Sequence, residues 1–284
     1  MTVPTRAWQN VVFVVCHPDD EALWVGGILC ELHRFESVRT YVICVSGNDP
    51  ASPRPAEFAA AMRTAGYDAG IVLGYPLRPA VNPLPAVHVT VAEGLGKLGL
   101  AIADVDLLIT HPPYGDEHLN PHHRQAYSEL RSWTRNNKVP FGYFSCLPIP
   151  YFAHTPVENR FRRTGSFHLL NRSRCAFAIP FLRRLIMRGY ADIECPVEYF
   201  QFCTDGERKR AMLGCYPSVD LKAHEATYAA FTSNCEGLYV SDAAGVSAMA
   251  AIVEQMPAPA PEPLFISGSW RERIAGRLKY LRSL

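Results

Sequence analysis

Short, wholly apolar runs alternate along this chain with longer segments in which apolar residues return every three or four positions. Residues 11–15 are five consecutive apolar side chains, four of them valine, which is the signature of a buried strand. Residues 22–34 follow with Leu23, Trp24 and Ile28 at helical spacing. The pattern then repeats. A strand over 39–45 is closed by Ser46-Gly47-Asn48-Asp49-Pro50, and a helix over 55–65 stops at Gly66, a natural C-cap residue. A strand over 69–73, a helix over 87–103 weakened by glycines and a strand over 105–110 complete the first half. Such alternation predicts an α/β fold, Rossmann-like, with a mostly parallel twisted sheet and helices on both faces.

The second half is less regular. Asn120 is a good N-cap and Pro121 suits a first helical position, so a helix is expected over 122–135. A strand over 141–146, an extended segment over 193–202, and helices over 207–215 and 221–231 are expected after it. Residues 257–263 alternate proline with other residues and read as a stiff linker. The expected organisation is one catalytic domain over 1–256, that linker, and a basic amphipathic segment over 264–284.

Composition narrows the function. The chain has 284 residues, 48% of them hydrophobic and 19% charged, which is material for a sizeable core. A net charge of +1 implies no nucleic-acid partner, and no apolar run is long enough to span a bilayer. No signal-peptide pattern is seen at the N-terminus, and the nine scattered cysteines include no Cys-x-x-Cys pair. These features fit a reducing cytoplasm rather than a disulfide framework or a cysteine zinc knuckle.

Two stretches carry candidate chemistry. Cys16-His17-Pro18-Asp19-Asp20-Glu21 sets a histidine and three carboxylates where the first strand ends, the place where open α/β sheets bind ligands. The same carboxylates can equally serve a helix start, capping N–H groups and meeting the helix dipole. Cys16 reads as core filler. Gly26-Gly27 lacks the spacing of a dinucleotide fingerprint, and carboxylates in this turn would repel phosphate. After the fourth strand come His111, His118, Asn120, His122 and His123. Each histidine alone is readily a polar loop residue. In a parallel sheet, however, both loops leave the same edge. His17 and Asp20 can then meet a histidine about a hundred positions away, giving two imidazoles and a carboxylate with an open position, the pattern of catalytic zinc.

At these residues the chain resembles the PIG-L/LmbE family of zinc-dependent de-N-acetylases, which act on N-acetylglucosamine-type sugars. His17-Pro18-Asp19-Asp20-Glu21 matches the family's first motif throughout, and Asn120-Pro121-His122-His123 stands where its His-Pro-Asp-His-like motif lies. The resemblance covers roughly residues 9–240 and implies an LmbE-like fold. It implies His17, Asp20 and His123 as metal ligands and Asp19 as general base. Asn120, or His118 in its place, is implied as the oxyanion donor, and Arg54 in Arg54-Pro55-Ala56-Glu57 as a substrate contact. Arg210-Ala211-Met212-Leu213-Gly214-Cys215-Tyr216-Pro217-Ser218 resembles a late helix-to-loop segment of the family. The implied reaction is removal of acetyl from an N-acetylated amino sugar by zinc-activated water, with one Zn2+ per chain and Fe2+ equally suited to such a site. A zinc amidase acting on another amide, or a metal-free sugar-binding α/β protein, is the alternative. Eight arginines and no acidic residue lie between 160 and 188. That stretch suits a phosphorylated, nucleotide-linked or lipid-linked substrate, or simply a solvated face. The tail suits either a membrane surface or packing on the body.

Overall fold

The computed structural model describes residues 9–67, 70–74, 84–113, 115, 120–144, 198–204, 206–220 and 235–253. Among them the sheet has seven strands: β1 (Gln9–Val15), β2 (Val38–Cys44), β3 (Gly70–Val72), β4 (Leu107–Thr110), β5 (Phe141–Phe144), β6 (Glu198–Cys203) and β7 (Cys235–Val240). Their order is β3-β2-β1-β4-β5-β7-β6. The first five run parallel; β7 is antiparallel to both β5 and β6, so it alone is reversed. The expected α/β architecture is what the chain adopts.

Among the described residues six helices accompany the strands: α1 (Asp20–Leu32), α2 (Arg54–Ala65), α3 (Val87–Lys97), α4 (Pro121–Asn137), α5 (Gly206–Gly214) and α6 (Ala243–Val253). The period-2 geometry of β1 divides its valines between two cores. Val11, Phe13 and Val15 pack with residues of α1, α2, α5 and α6 on one face. Val12 and Val14 pack with Val87, Val91 and Leu95 of α3 and Ala126 and Leu130 of α4 on the other. A strand buried on both faces has no polar side to alternate, which is why its sequence reads as a continuous apolar run.

Element limits differ from expectation in instructive places. Helix α1 begins at Asp20 rather than 22, which draws Asp20 and Glu21 into its first turn. Helix α3 stops at Lys97 because Gly99 turns left-handed at φ 72°, and a separate 3-10 turn follows at Ile102–Asp104. Gly66 ends α2 at φ 98°, as expected of a C-cap glycine. The expected extended segment over 193–202 is seen from Glu198 onward. His118, the arginine-rich stretch 160–188, the helix expected over 221–231, the linker 257–263 and the tail 264–284 lie outside the described residues. Among the described residues no helix is long and apolar enough to cross a membrane.

Candidate metal centre

The chain runs outward from β1 to β2 and β3, then returns to place β4 on the other side of β1. Between β1 and β4 the winding therefore reverses, and the crevice beyond their carboxyl ends is the standard ligand position of such sheets. Two bonds fasten the two strand ends there. Thr110 Oγ1 donates to the Val14 carbonyl at 2.8 Å, and the Cys16 N–H donates to His111 Nε2 at 3.0 Å. Helices α1 and α4 both start at this crevice. Asn120 caps α4, its Oδ1 accepting the His122 N–H at 3.0 Å, with Pro121 as first helical residue. The cap sets His122 and His123 in the first turn, facing the motif that follows β1.

His17, Asp20 and His123 are brought together. His17 Nδ1 lies 3.1 Å from His123 Nε2 and 3.3 Å from Asp20 Oδ2, and His123 Nε2 lies 3.2 Å from the same oxygen. Ligand bonds of about 2.0–2.1 Å in a tetrahedron give edges of about 3.3–3.4 Å, so three donor atoms already spaced this way fit a zinc-sized ion. Asp20 is aimed by its neighbours: Trp24 Nε1, one turn on along α1, donates to Oδ1 at 3.2 Å, and the His17 N–H donates to Oδ2 at 2.8 Å. Burial alone would raise the Asp20 pKa, but the adjacent imidazole of His123 outweighs it and holds the carboxyl well below the usual range. A second metal-compatible group, Cys16, His111 and His123, shares His123. There the His111 Nε2 already accepts the Cys16 amide, so the His17–Asp20–His123 set is the better prepared. Burial, with His123 close by, lowers the His111 pKa to about 4, so this ring is neutral and its Nε2 can accept. The ring of His111 stacks on that of His123 at 3.7 Å between centroids, which fixes the plane of the His123 ring.

Asp19 is held in an unusual conformation, φ 128° and ψ −27°, of a kind that costs about 1–3 kcal/mol for a residue with a side chain. Its side chain makes no helix cap. Instead Arg54 Nη1 donates to Asp19 Oδ2 at 2.9 Å and to the Pro18 carbonyl at 2.7 Å. Glu21 Oε2 accepts the Asp19 N–H at 3.1 Å from the other side. Burial and the neighbouring Asp20 charge raise the Asp19 pKa above its ordinary value, with Arg54 opposing them. The helix-start reading of the motif is thus met by two of its three carboxylates. Asp20 and Glu21 bond local backbone amides, while Asp19 faces away from them to an arginine brought by α2.

Glu21 is fully buried and its Oε1 accepts the hydroxyl of Tyr216, 195 positions later. Nearby, Glu57 Oε1 accepts the Ser218 N–H at 2.9 Å. The segment 210–218 singled out in the sequence therefore buttresses both the motif and the Arg54 helix. Burial pushes the Glu21 carboxyl from 4.5 up to about 8. The unfolded chain releases this proton near pH 4.5, whereas the folded chain keeps it to about 8. Stability from this group accordingly falls as pH rises through that window and levels off above it. Gln mimics the protonated acid, its carbonyl accepting from Asp19 and its amide donating to Tyr216. Thermal unfolding of metal-free Glu21→Gln over roughly pH 5 to 9 is expected to show a flatter decline than the unaltered chain. Parallel profiles would show that Glu21 does not titrate in this window.

The sequence places His111 among the candidate histidines, Trp24 on the first helix and Tyr216 in the segment 210–218, without an individual role for any of them. His111 was visible as a histidine ending an apolar strand, whereas Trp24 and Tyr216 look like any core aromatic. Asn120 takes up the capping role, while the position of His118 lies outside the described residues.

No protein-family model matches the sequence, and no curated protein matches it. Solved structures similar in architecture include the antimicrobial reagent A40926 pseudoaglycone deacetylase Dbv21, at 16% identity and TM-score 0.43, over 83% of this chain and 97% of that one. A deacetylase–teicoplanin complex from the teicoplanin biosynthesis pathway has 14% identity and TM-score 0.44, over 82% and 98%. GalB, the 4-carboxy-2-hydroxymuconate hydratase of Pseudomonas putida KT2440, has 13% identity and TM-score 0.39, over 90% and 99%. Deacetylases and a hydratase stand side by side in this group, and likeness at this level carries no argument about the activity of this chain.

Proposed function

We propose that this protein is a metal-dependent hydrolase that removes the acetyl group from an N-acetylated amino sugar. The observation that carries the reading is the pairwise 3.1–3.3 Å spacing of His17 Nδ1, Asp20 Oδ2 and His123 Nε2 at the sheet's reversal point, beside a second carboxylate that is not part of the set. The match of residues 17–21 to the de-N-acetylase motif supports the choice of reaction. Zinc held by His17, Asp20 and His123 would lower the pKa of a water and polarise the amide carbonyl; Fe2+ suits the same donors.

The remaining roles belong to the chain. Asp20, held strongly acidic and surrounded by imidazoles, is a ligand and a poor base. Asp19, with its raised pKa, takes the proton of the attacking water and returns it to the departing amine. Arg54 occupies Asp19 Oδ2, so the proton passes through Oδ1. Because Asn120 Oδ1 is committed to the helix cap, its Nδ2 is the end with protons to offer the developing oxyanion, and a donor of this kind typically contributes ~3 kcal/mol. His118 is the alternative donor. Arg54, at the rim of the motif, is proposed also to contact the sugar through its other guanidinium nitrogens.

The test combines metal analysis with an acetate-release screen over N-acetyl-hexosamines in free, phosphorylated, nucleotide-linked and lipid-linked form. One zinc-like ion per chain is expected, with acetate released from one class of sugar, lost on chelation and restored by Zn2+. Acetate released undiminished in chelator would overturn the metal assignment. Metal binding with no acetate from any member would overturn the deacetylase reading and favour a zinc amidase on another amide.

A further inference from the structure

His17 Nε2, the ring nitrogen turned away from Asp20 and His123, lies 3.1 Å from His122 Nδ1. His122 is itself buried, and the two rings are tilted at 38° with centroids 5.4 Å apart. We propose that His122 is a positioning residue that selects the ring-nitrogen proton arrangement of His17 and thereby prepares its Nδ1 for metal.

Given the metal reading above, proton placement between the two rings decides the matter. Two neutral imidazole nitrogens 3.1 Å apart share a single proton, so one donates and the other accepts. If His122 Nδ1 carries it, His17 Nε2 is the acceptor and the proton of His17 must sit on Nδ1, among Asp20 and His123, where it excludes a metal. If His122 Nδ1 is the acceptor, His17 is protonated on Nε2 and its Nδ1 lone pair faces His123 Nε2 and Asp20 Oδ2. Only the second arrangement provides three lone pairs converging on one point. Liganding histidines commonly donate their remote N–H to a carboxylate, carbonyl or water. Here the acceptor is another imidazole, which orients the ring without the negative charge a carboxylate would bring. The backbone supplies the precision, because the Asn120 cap bonds the N–H of His122 itself.

Zinc affinity of metal-free protein, measured by competition with a chromophoric chelator, tests this without reference to activity. His122→Ala is expected to weaken binding about 10–100-fold, as loss of such outer partners does. His122→Asn places an amide oxygen where Nδ1 stood, two bonds from Cβ, and is expected to restore most of the affinity. Metal-free melting temperatures of the variants serve to separate a packing defect from a positioning one. Equal affinities for all three chains would overturn the role of His122 and leave the metal reading standing, whereas no zinc binding by the unaltered chain would overturn both. Should His122→Ala fail to fold, long-range 15N–1H spectra of the zinc-loaded, unaltered protein decide the matter. His17 protonated at Nε2 supports the proposal; His17 bound to zinc through Nε2 overturns it.

Discussion

Asp19→Asn is expected to retain its metal and to lose about 10²–10⁴-fold in turnover, the usual contribution of a positioned proton carrier. The substitution is nearly isosteric, so Arg54 can still bond the side-chain oxygen and the backbone can keep its φ of 128°. What disappears is the group proposed to accept and return a proton. His123→Ala is the contrast: it removes one of three donor atoms and is expected to lose metal and turnover together. The pair of outcomes is diagnostic because the two residues fail at different stages. Near-normal turnover in Asp19→Asn would refute the base assignment, and full metal occupancy in His123→Ala would refute the ligand set.

Breaking the ion pair between Lys209 and Glu236 is expected to destabilise the fold by about 3–5 kcal/mol. Lys209 Nζ lies 2.7 Å from Glu236 Oε1, and both residues are almost wholly buried. Glu236 does more than neutralise the lysine. Its two oxygens accept the N–H groups of Gly27 and Ile28, at 3.1 and 2.7 Å, in the middle of α1. At Gly27 an added Cβ would sit 2.3 Å from the Thr204 hydroxyl oxygen, so only glycine permits β6 to end so close to this helix. Glu236→Leu leaves the ammonium of Lys209 in the interior without its carboxylate, and urea unfolding should show the loss. Adding Lys209→Met removes the stranded charge, and the double variant is expected to recover part of it. A Glu236→Leu chain as stable as the unaltered one would mean that the pair contributes nothing net.

These two expectations differ in how far they could be read from sequence. The strands and the motif after β1 were legible because burial on both sheet faces writes a continuous apolar run, and because carboxylates directly after such a run are conspicuous. Pairing residues 17–20 with His123 needed one further step, that parallel strands deliver their loops to a common edge. The support beneath the site was legible only in part, as the segment 210–218 without its partners. Tyr216 under Glu21, Ser218 on Glu57 and Glu236 on α1 join positions 161 to 209 apart, and nothing local in those residues announces a partner. His122 was visible as one of a histidine pair, yet only the ring-to-ring distance shows that it faces His17. The end of α3 was missed because a glycine inside a helical pattern costs little until it turns left-handed.

The long separations between partners bear on the order in which the molecule matures. As the chain leaves the ribosome, His17 and Asp20 emerge more than a hundred residues before His123, and Glu236 more than a hundred after that. A nascent chain carrying only the early motif has two of the three proposed ligands, so the site is incomplete until residue 123 arrives. Contacts this far apart in sequence close late and slowly. On the proposed ligand set, secure loading of an ion would consequently be an event of the finished chain. Limited proteolysis that removes the late segment should then loosen the ion, although it leaves all three proposed ligands in place.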